Sequence, residues 1–350
     1  MTLELTTAQL DRAAGVLLAM ACGDALGAGY GFGPPLGPDV PVTMSGGGPF
    51  EWEPGEWTDD TSMAIAIAEV AADGHDLLNP QAQNRVAARW SGWAQGANDV
   101  GSQTLAVLDA ARQAAARRGQ ESPSATDLTH AAQAQHARAG HCGGNGSLLH
   151  TAPIALAFLD DPAGLVRVAH QFSALTQHDP EAGEASALWC LAIRHAVLHG
   201  NLQGLRLALD HLPDDRALVW SQRLDHAEAS IPADFERNGC VVQALQGAWS
   251  AIATSRDAAG SDFTSAEHAR SGLEAAVRGS RDTDTVAAAA GALLGSVYGA
   301  SAMSAVWRRR LHGWPGLRSR DLVRLSVMIT RGGRPDVEGW PASARVDYSS

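Results

Sequence analysis

From Thr285 to Met303 the chain carries no charged residue, and this run opens directly out of Arg281-Asp282-Thr283-Asp284-Thr285. Its length approaches that of a membrane span. Its content does not: it is rich in alanine and glycine, and its first turn is acidic. Gly291, Gly295 and Gly299 recur every four residues, which places them on one stripe of a helix and lets a second backbone come close. The run predicts a helix over 285–303 buried at the centre of the molecule, with other helices packed round it. The composition agrees: 45% of residues are hydrophobic but only 5% aromatic, a mix that suits close-packed helices better than a sandwich of strands.

Helical signals extend along the rest of the chain. An apolar helix near 10–22 is expected to stop at Gly23-Asp24. The stretch from Ala25 to Trp57 is dense in glycine and proline and reads as a long structured loop, the kind that tends to be functional. Helices follow at Thr61–Ala72 and near 81–95, 101–118, 126–138 and 147–159. Pro180 suits a first helical turn, with Gly200-Asn201 able to end that helix. Thr264-Ser265-Ala266-Glu267 has the form of a capping box for a helix ending before Gly279. Alternating strand patterns are scarce, and no repeat or long linker divides the chain. The expectation is one all-α domain over 1–334 and a loosely ordered tail over 335–350.

A net charge of −12 argues against generic binding to nucleic acid or anionic membranes, both of which need a basic face. Cys22, Cys142, Cys190 and Cys240 are far apart with no zinc spacing, so each is expected to be a small thiol in a reducing, cytoplasmic setting. Glu4 and Asp11 near the start do not resemble the positive region of a secretory signal.

The chemistry gathers in two acidic clusters. Gly55-Glu56-Trp57-Thr58-Asp59-Asp60-Thr61 and Arg281-Asp282-Thr283-Asp284-Thr285 each place two carboxylates and threonine hydroxyls at a helix start. Either alone is an ordinary cap complementing the helix dipole. Two of like composition, each opening an apolar helix, favour divalent metal, because magnesium takes oxygen ligands and keeps several waters. Two such clusters can share a pair of ions. Glycines flank both (Gly46-Gly47-Gly48 and Gly279-Ser280), as if backbone must approach a ligand.

Five segments, in order, resemble the ADP-ribosylglycohydrolase family: Gly23-Asp24-Ala25-Leu26-Gly27, Trp57-Thr58-Asp59-Asp60-Thr61, Gly144-Asn145-Gly146-Ser147-Leu148, Leu175-Thr176-Gln177-His178-Asp179-Pro180 and Arg281-Asp282-Thr283-Asp284-Thr285. Singly these strings are weak; all five in order are highly specific. The resemblance implies a compact orthogonal bundle of helices and hydrolysis of the glycosidic bond that joins ADP-ribose to a protein side chain or small molecule. It implies two magnesium ions, with manganese able to replace them, on Thr58, Asp59, Asp60, Asp282, Asp284 and Thr285. Asp59, Asp60 and Asp99 thereby become catalytic candidates. Gly144, Asn145, Gly146 and Ser147 would present backbone N–H groups to the diphosphate, as a helix start preceded by glycine can. His178, Gly279 and Ser280 complete the substrate-binding set. Asp99, in a D-x-G-x-x-T segment like that of arginine-directed members, can pair with a guanidinium or cap the helix after Gly101.

Three positions depart from the family pattern. Gly31 stands where a glutamate near the metals is usual, Gln177 where histidine is usual, and His150 where arginine is common. Glu51, Glu53 and Glu56 are the nearest replacement carboxylates, each read as a solvated loop charge. If the missing glutamate matters, the alternative is an ADP-ribose-binding protein with weak or lost hydrolysis. An all-α prenyl-diphosphate enzyme also uses acidic clusters, but its D-D-x-x-D spacing is absent, Met63 standing at the last position. His195 and His199 are expected to pack rather than bind zinc. Trp189, Trp220 and Trp249 read as packing residues, while Trp52 and Trp57 are candidates to stack on adenine. Arg308-Arg309-Arg310 reads as a solvated helix end.

Overall fold

The computed structural model describes residues 3–37, 39–139, 143–257, 264–279 and 281–334. The expected tail over 335–350 lies outside them. In chain order the helices are α1 (Thr7–Gly27), α2 (Asp59–Ala72), α3 (Pro80–Trp93), α4 (Ser102–Arg117), α5 (Ala125–Ala139), α6 (Gly146–His150), α7 (Ile154–Ala157) and α8 (Pro162–Ala174). They continue as α9 (Pro180–His199), α10 (Gly204–Leu207), α11 (Asp214–Glu228), α12 (Val241–Asp257), α13 (Ser265–Arg278), α14 (Thr283–Tyr298), α15 (Ala305–Arg310) and α16 (Ser319–Thr330). One short antiparallel pair, β1 (His312–Gly313) with β2 (Leu317–Arg318), is the only sheet among the described residues. The fold is all-α.

The uncharged run becomes α14, buried at every residue from Thr283 to Val297. It ends earlier than expected. Gly299, at φ 85°, takes the chain out of the helix and a 3-10 turn follows at Ala300–Ala302. No helix of the described residues is long and apolar enough to cross a membrane.

Antiparallel to α14 runs α1, and the two backbones touch along their length. A Cβ added to Gly291 would overlap Ala19 O; one on Gly295, Gly15 O; one on Gly23, Ala287 O; one on Gly27, the backbone of Asp284. The register advances by about one helical turn at each step. This corrects the expectation that α1 stops at Gly23-Asp24. Those residues continue the helix to Gly27, because the missing side chain of Gly23 serves contact with α14 rather than termination. Helix propensity disfavours glycine by about 1 kcal/mol per position, a cost that dense packing along a shared seam offsets.

Other boundaries follow local chemistry. Thr264 and Glu267 form the expected capping box, and Gly200 in the left-handed conformation ends α9. The helix expected over 147–159 is broken into α6 and α7. Pro153 has no N–H to give, and the chain passes through three-residue turns such as Ile154 N–H to Thr151 O at 2.9 Å. Asp161-Pro162 starts α8 by the same chemistry that Asp179-Pro180 uses for α9, each aspartate accepting from a first-turn amide.

Trp189, Trp220 and Trp249 are buried as expected. Trp57 is buried too, its indole N–H given to Trp314 O at 3.2 Å, and Trp52 is 8% exposed; both serve the fold rather than stand ready for adenine. Arg308, Arg309 and Arg310 are exposed in the last turn of α15. Cys22 and Cys190 are free, and burial pushes both thiols up to about 12, so neither is a nucleophile. Cys240 is disulfide-bonded. That corrects the expectation of isolated thiols and removes its support for a reducing setting.

Because Ala19 O stands where a side chain on residue 291 would go, Gly291→Val is expected to destabilise the protein by about 3 kcal/mol or more. Denaturant unfolding of the purified variant measures this. A loss under about 1 kcal/mol would mean that the α1–α14 seam is not close-packed.

Candidate active site

The same seam brings the two acidic clusters together. Gly27 lies against Asp284, and Thr283 Oγ1 donates to Gly27 O at 2.9 Å. One turn back on α1, the fully buried Asp24 carboxylate accepts from Thr58 N–H (3.0 Å), Thr61 N–H (3.0 Å) and Thr61 Oγ1 (2.6 Å). Asp24 thus does for α2 what its own N-cap does not, since Thr58 makes no side-chain cap. The Gly-Asp pair was visible in the sequence, but its role depends on a contact 34 residues away.

Asp59 and Asp60 on α2 face Asp282 and Asp284 at the start of α14. Thr285 Oγ1 donates to Asp60 Oδ2 at 3.0 Å, linking the clusters directly. Asp282 is held from two sides. Asn145 Nδ2 donates to its Oδ2 at 2.6 Å and also to Asn238 O at 2.8 Å, while Asp282 N–H donates to Asn238 Oδ1 at 3.2 Å. Asn238 is 2% exposed. It was missed in the sequence because an isolated Asn-Gly pair in a loop carries no signal of a partner 44 residues on.

Burial, then the neighbouring charges of Asp99 and Asp24, pushes the Asp59 carboxyl up to about 8. Asp60 and Asp284 are pushed well above the carboxylate range by burial first. Asp59 and Asp24 add to this for Asp60, and Asp282 and Asp24 for Asp284. Asp59 is half-buried, whereas Asp60 and Asp284 are buried, at 5% and 7% exposure. Like charges 4 Å apart repel by about 4 kcal/mol at an effective dielectric of 20, so this cluster calls for protons or cations.

Two further observations bear on a cation. The donor set is all oxygen, which suits magnesium or manganese. Thr58 Oγ1 is buried with no hydrogen-bond partner, an orphan that a ligand would satisfy. Among the described residues no three His, Cys, Asp or Glu side chains already converge as a finished cage. A magnesium site that retains several waters does not require one. The residues fit the ion by chemistry.

The remaining predicted residues fall in different places. Asp99 is half-buried at the rim, its carboxyl pushed up to about 6 by burial, then by Asp282 and Asp24. It does not cap α4; Gly101 holds that position, and its N–H donates to Asp59 Oδ2 at 3.2 Å. In the Gly144–Ser147 turn, Gly144 N–H goes to Gln177 Oε1 (3.0 Å) and Asn145 N–H to Gly239 O (3.2 Å). The expected anion cradle therefore narrows to the amides of Gly146 and Ser147. Ser147 Oγ is buried and accepts from Ser186 Oγ at 3.3 Å. Gln177 is buried behind the turn it holds, and His178 is half-buried with its ring edge-on to His136. His150 is buried against Trp90, its Nε2 3.0 Å from Thr176 Oγ1. Gly279 packs on Pro232 rather than opening to a ligand, and Ser280 lies outside the described residues. Gly46 and Gly48 likewise meet the loop's own backbone. His195 and His199 stack at 4.5 Å without a metal cage.

Two of the three candidate loop carboxylates are engaged with other protein groups. Glu53 reaches His312 Nε2 at 3.1 Å, and Glu56 accepts from Glu53 N–H at 2.8 Å. A Cβ on Gly31 would see only Thr283 Oγ1, at 3.9 Å. A side chain there has room and would stand beside the acidic site.

The ADP-ribosylglycohydrolase family profile matches residues 5–334. The chain belongs to this family. An ADP-ribosylglycohydrolase is a hydrolase of glycosyl bonds, and that is the class of this enzyme. Among relatives, the ADP-ribosylarginine hydrolase Tri1 of Pseudomonas putida (strain GB-1) is 29% identical over 309 residues, covering 85% of this chain and 73% of that protein. The Tri1 of Serratia proteamaculans (strain 568) is 53% identical over 60 residues, 17% of this chain and 16% of that one. A solved structure described as an ADP-ribosylglycohydrolase-related protein complex superposes with a TM-score of 0.69 at 27% identity, covering 94% of this chain and all of that one.

The cluster sets a pH dependence for the metal-free ADP-ribosylglycohydrolase. Above pH 6.5, folded Asp59, its carboxyl raised to about 8 chiefly by burial, holds a proton that the unfolded chain has already released, and Asp60 and Asp284 are shifted in the same direction. Stability therefore falls as pH rises, by about 1.4 kcal/mol per pH unit for each such proton. His150, pushed down to about 3 by burial, acts oppositely but only below pH about 6.5. The melting temperature of chelator-treated protein is expected to drop by about 3 °C or more between pH 6.5 and 8.5, and added magnesium is expected to remove most of that drop. A flat metal-free profile would contradict the electrostatics.

Proposed function

We propose that this enzyme releases ADP-ribose from modified arginine side chains, with two divalent ions, magnesium or manganese, held by Thr58, Asp59, Asp60, Asp282, Asp284 and Thr285. The observation that carries the proposal is the contact of two distant helix starts, Thr285 Oγ1 donating to Asp60 Oδ2 at 3.0 Å, where the charges of Asp59, Asp60, Asp282 and Asp284 act on one another and a buried Thr58 hydroxyl is unsatisfied. When bound, such ions supply positive charge that orients ribose hydroxyls and favours an ionised water. Asp24, Asn145 and Asn238 are positioning residues for the acidic groups. The Gly146 and Ser147 amides are assigned to the diphosphate, with His178 near it. Asp99, ionised for the most part at neutral pH and at the rim, is assigned to the guanidinium, where a carboxylate can accept two N–H bonds. The arginine linkage is supported by that carboxylate and by what the Tri1 relatives are named for. Residues 1–334 are read as one functional domain.

Incubation with an arginine-ADP-ribosylated protein and magnesium is expected to release free ADP-ribose, followed by chromatography. Chelation or Asp284→Ala is expected to lower the rate by at least about 1000-fold. Release unaffected by either would refute the metal assignment.

A second reading rests on Gly31, whose open site lacks the family's glutamate: a protein that binds ADP-ribose and turns it over slowly. Gly31→Glu discriminates. If a general base is missing, the variant should be about 100- to 10,000-fold faster than wild type. An unchanged or lower rate would show that the wild-type site is complete without that carboxylate.

A further inference from the structure

We propose that Phe32 selects the modified side chain, its ring stacking on the guanidinium of an ADP-ribosylated arginine at the mouth of the acidic site; this rests on the arginine-hydrolase reading above. Phe32 is 66% exposed, the most of any large apolar side chain among the described residues. It also sits at φ 61°, a conformation that costs a bulky residue energy and that glycine adopts freely. Neither property helps folding. A strained backbone carrying an unburied aromatic ring is the signature of a residue retained for what it meets outside the fold.

The backbone that carries the ring is held on both sides. Phe32 N–H donates to Arg281 O at 2.6 Å, one residue before Asp282. Arg281 is itself left-handed, at φ 65°, so the two strained residues clasp each other at the edge of the cluster. On the other flank Tyr30 is tied to the loop, its hydroxyl accepting from Thr43 N–H at 3.0 Å and lying 3.2 Å from Thr43 O. Between them Gly31 leaves the space beside Thr283 empty.

The chemistry at this edge selects a planar cation. The floor is negative, which attracts positive charge. An aromatic face adds a directional attraction that a guanidinium satisfies by stacking while its N–H groups stay free for a carboxylate such as Asp99. The guanidinium of Arg281 lies toward Glu236, 3.8 Å away, which offsets its repulsion of an incoming cation. A serine or acyl linkage offers no cation and gains nothing from the ring. Adenine could also stack on Phe32, but the turn assigned to the diphosphate meets Asp282 through Asn145, not through the Arg281 carbonyl.

The test compares wild type, Phe32→Leu and Phe32→Tyr, all full-length and loaded with magnesium. Calorimetry measures affinity for an arginine-ADP-ribosylated peptide, a serine-ADP-ribosylated peptide and ADP-ribose alone, with KM and kcat taken wherever turnover occurs. Phe32→Leu is expected to weaken the arginine-linked peptide by about 5- to 30-fold, mainly in Kd and KM, and to leave the other two ligands within about twofold. Phe32→Tyr should keep wild-type affinity, and thermal melts should show both variants folded. Equal loss for ADP-ribose would assign the ring to adenine and overturn the proposal. No loss for any ligand would overturn it also. Wild type that neither binds nor cleaves the arginine-linked peptide would instead remove the arginine reading beneath it.

Discussion

Everything in this molecule that bears on function depends on two helices touching backbone to backbone. Because glycine occupies the shared seam, α1 and α14 approach more closely than side chains would permit, and their axial register is fixed by which residues lack a Cβ. A close-packed seam has few alternative registers, since a slip of one residue would drive a methyl group into a carbonyl. That register puts Gly27 against Asp284 and Asp24 against the start of α2.

The acidic site can then be understood as a load on the scaffold. Burying several carboxylates together opposes folding unless protons, hydrogen-bond donors or cations answer the charge. The structure supplies donors for Asp24 in full, through Thr58 and Thr61, and for Asp282 in part, through Asn145, while Asn238 accepts from the Asp282 N–H. It supplies less for Asp59, Asp60 and Asp284, whose carboxyls are raised by burial and by neighbouring carboxylates, whereas burial also raises Asp24 but its hydrogen bonds act against the shift. Where the donors stop is where a cation would act. The stability to carry this load comes from the apolar interior around α14, which is buried from Thr283 to Val297.

Much of the fold was legible because helix signals are local. The capping box at Thr264, the proline start at Pro180 and the glycine stop at Gly200 depend on neighbours within one turn. The metal candidates were legible for a related reason: each cluster is contiguous, so its composition shows in a single window. What misled was glycine, whose meaning is not local. Gly23 looked like a helix end and is a helix contact; Gly46 and Gly279 suggested a ligand and meet protein. Asn145 suggested a phosphate turn, yet its side chain is committed to Asp282.

From the sequence alone came the all-α class, the buried central helix, the two acidic clusters and the family resemblance, because periodicity, capping and short contiguous motifs are properties of neighbouring residues. Tertiary structure alone decided that Asp24 anchors α2, that Asn238 holds Asp282, that the tryptophans of the long loop serve the core and that Phe32 stands strained and exposed beside the site. Those are relations between segments tens to hundreds of residues apart, and a linear chain carries no mark of them until packing brings the segments into contact.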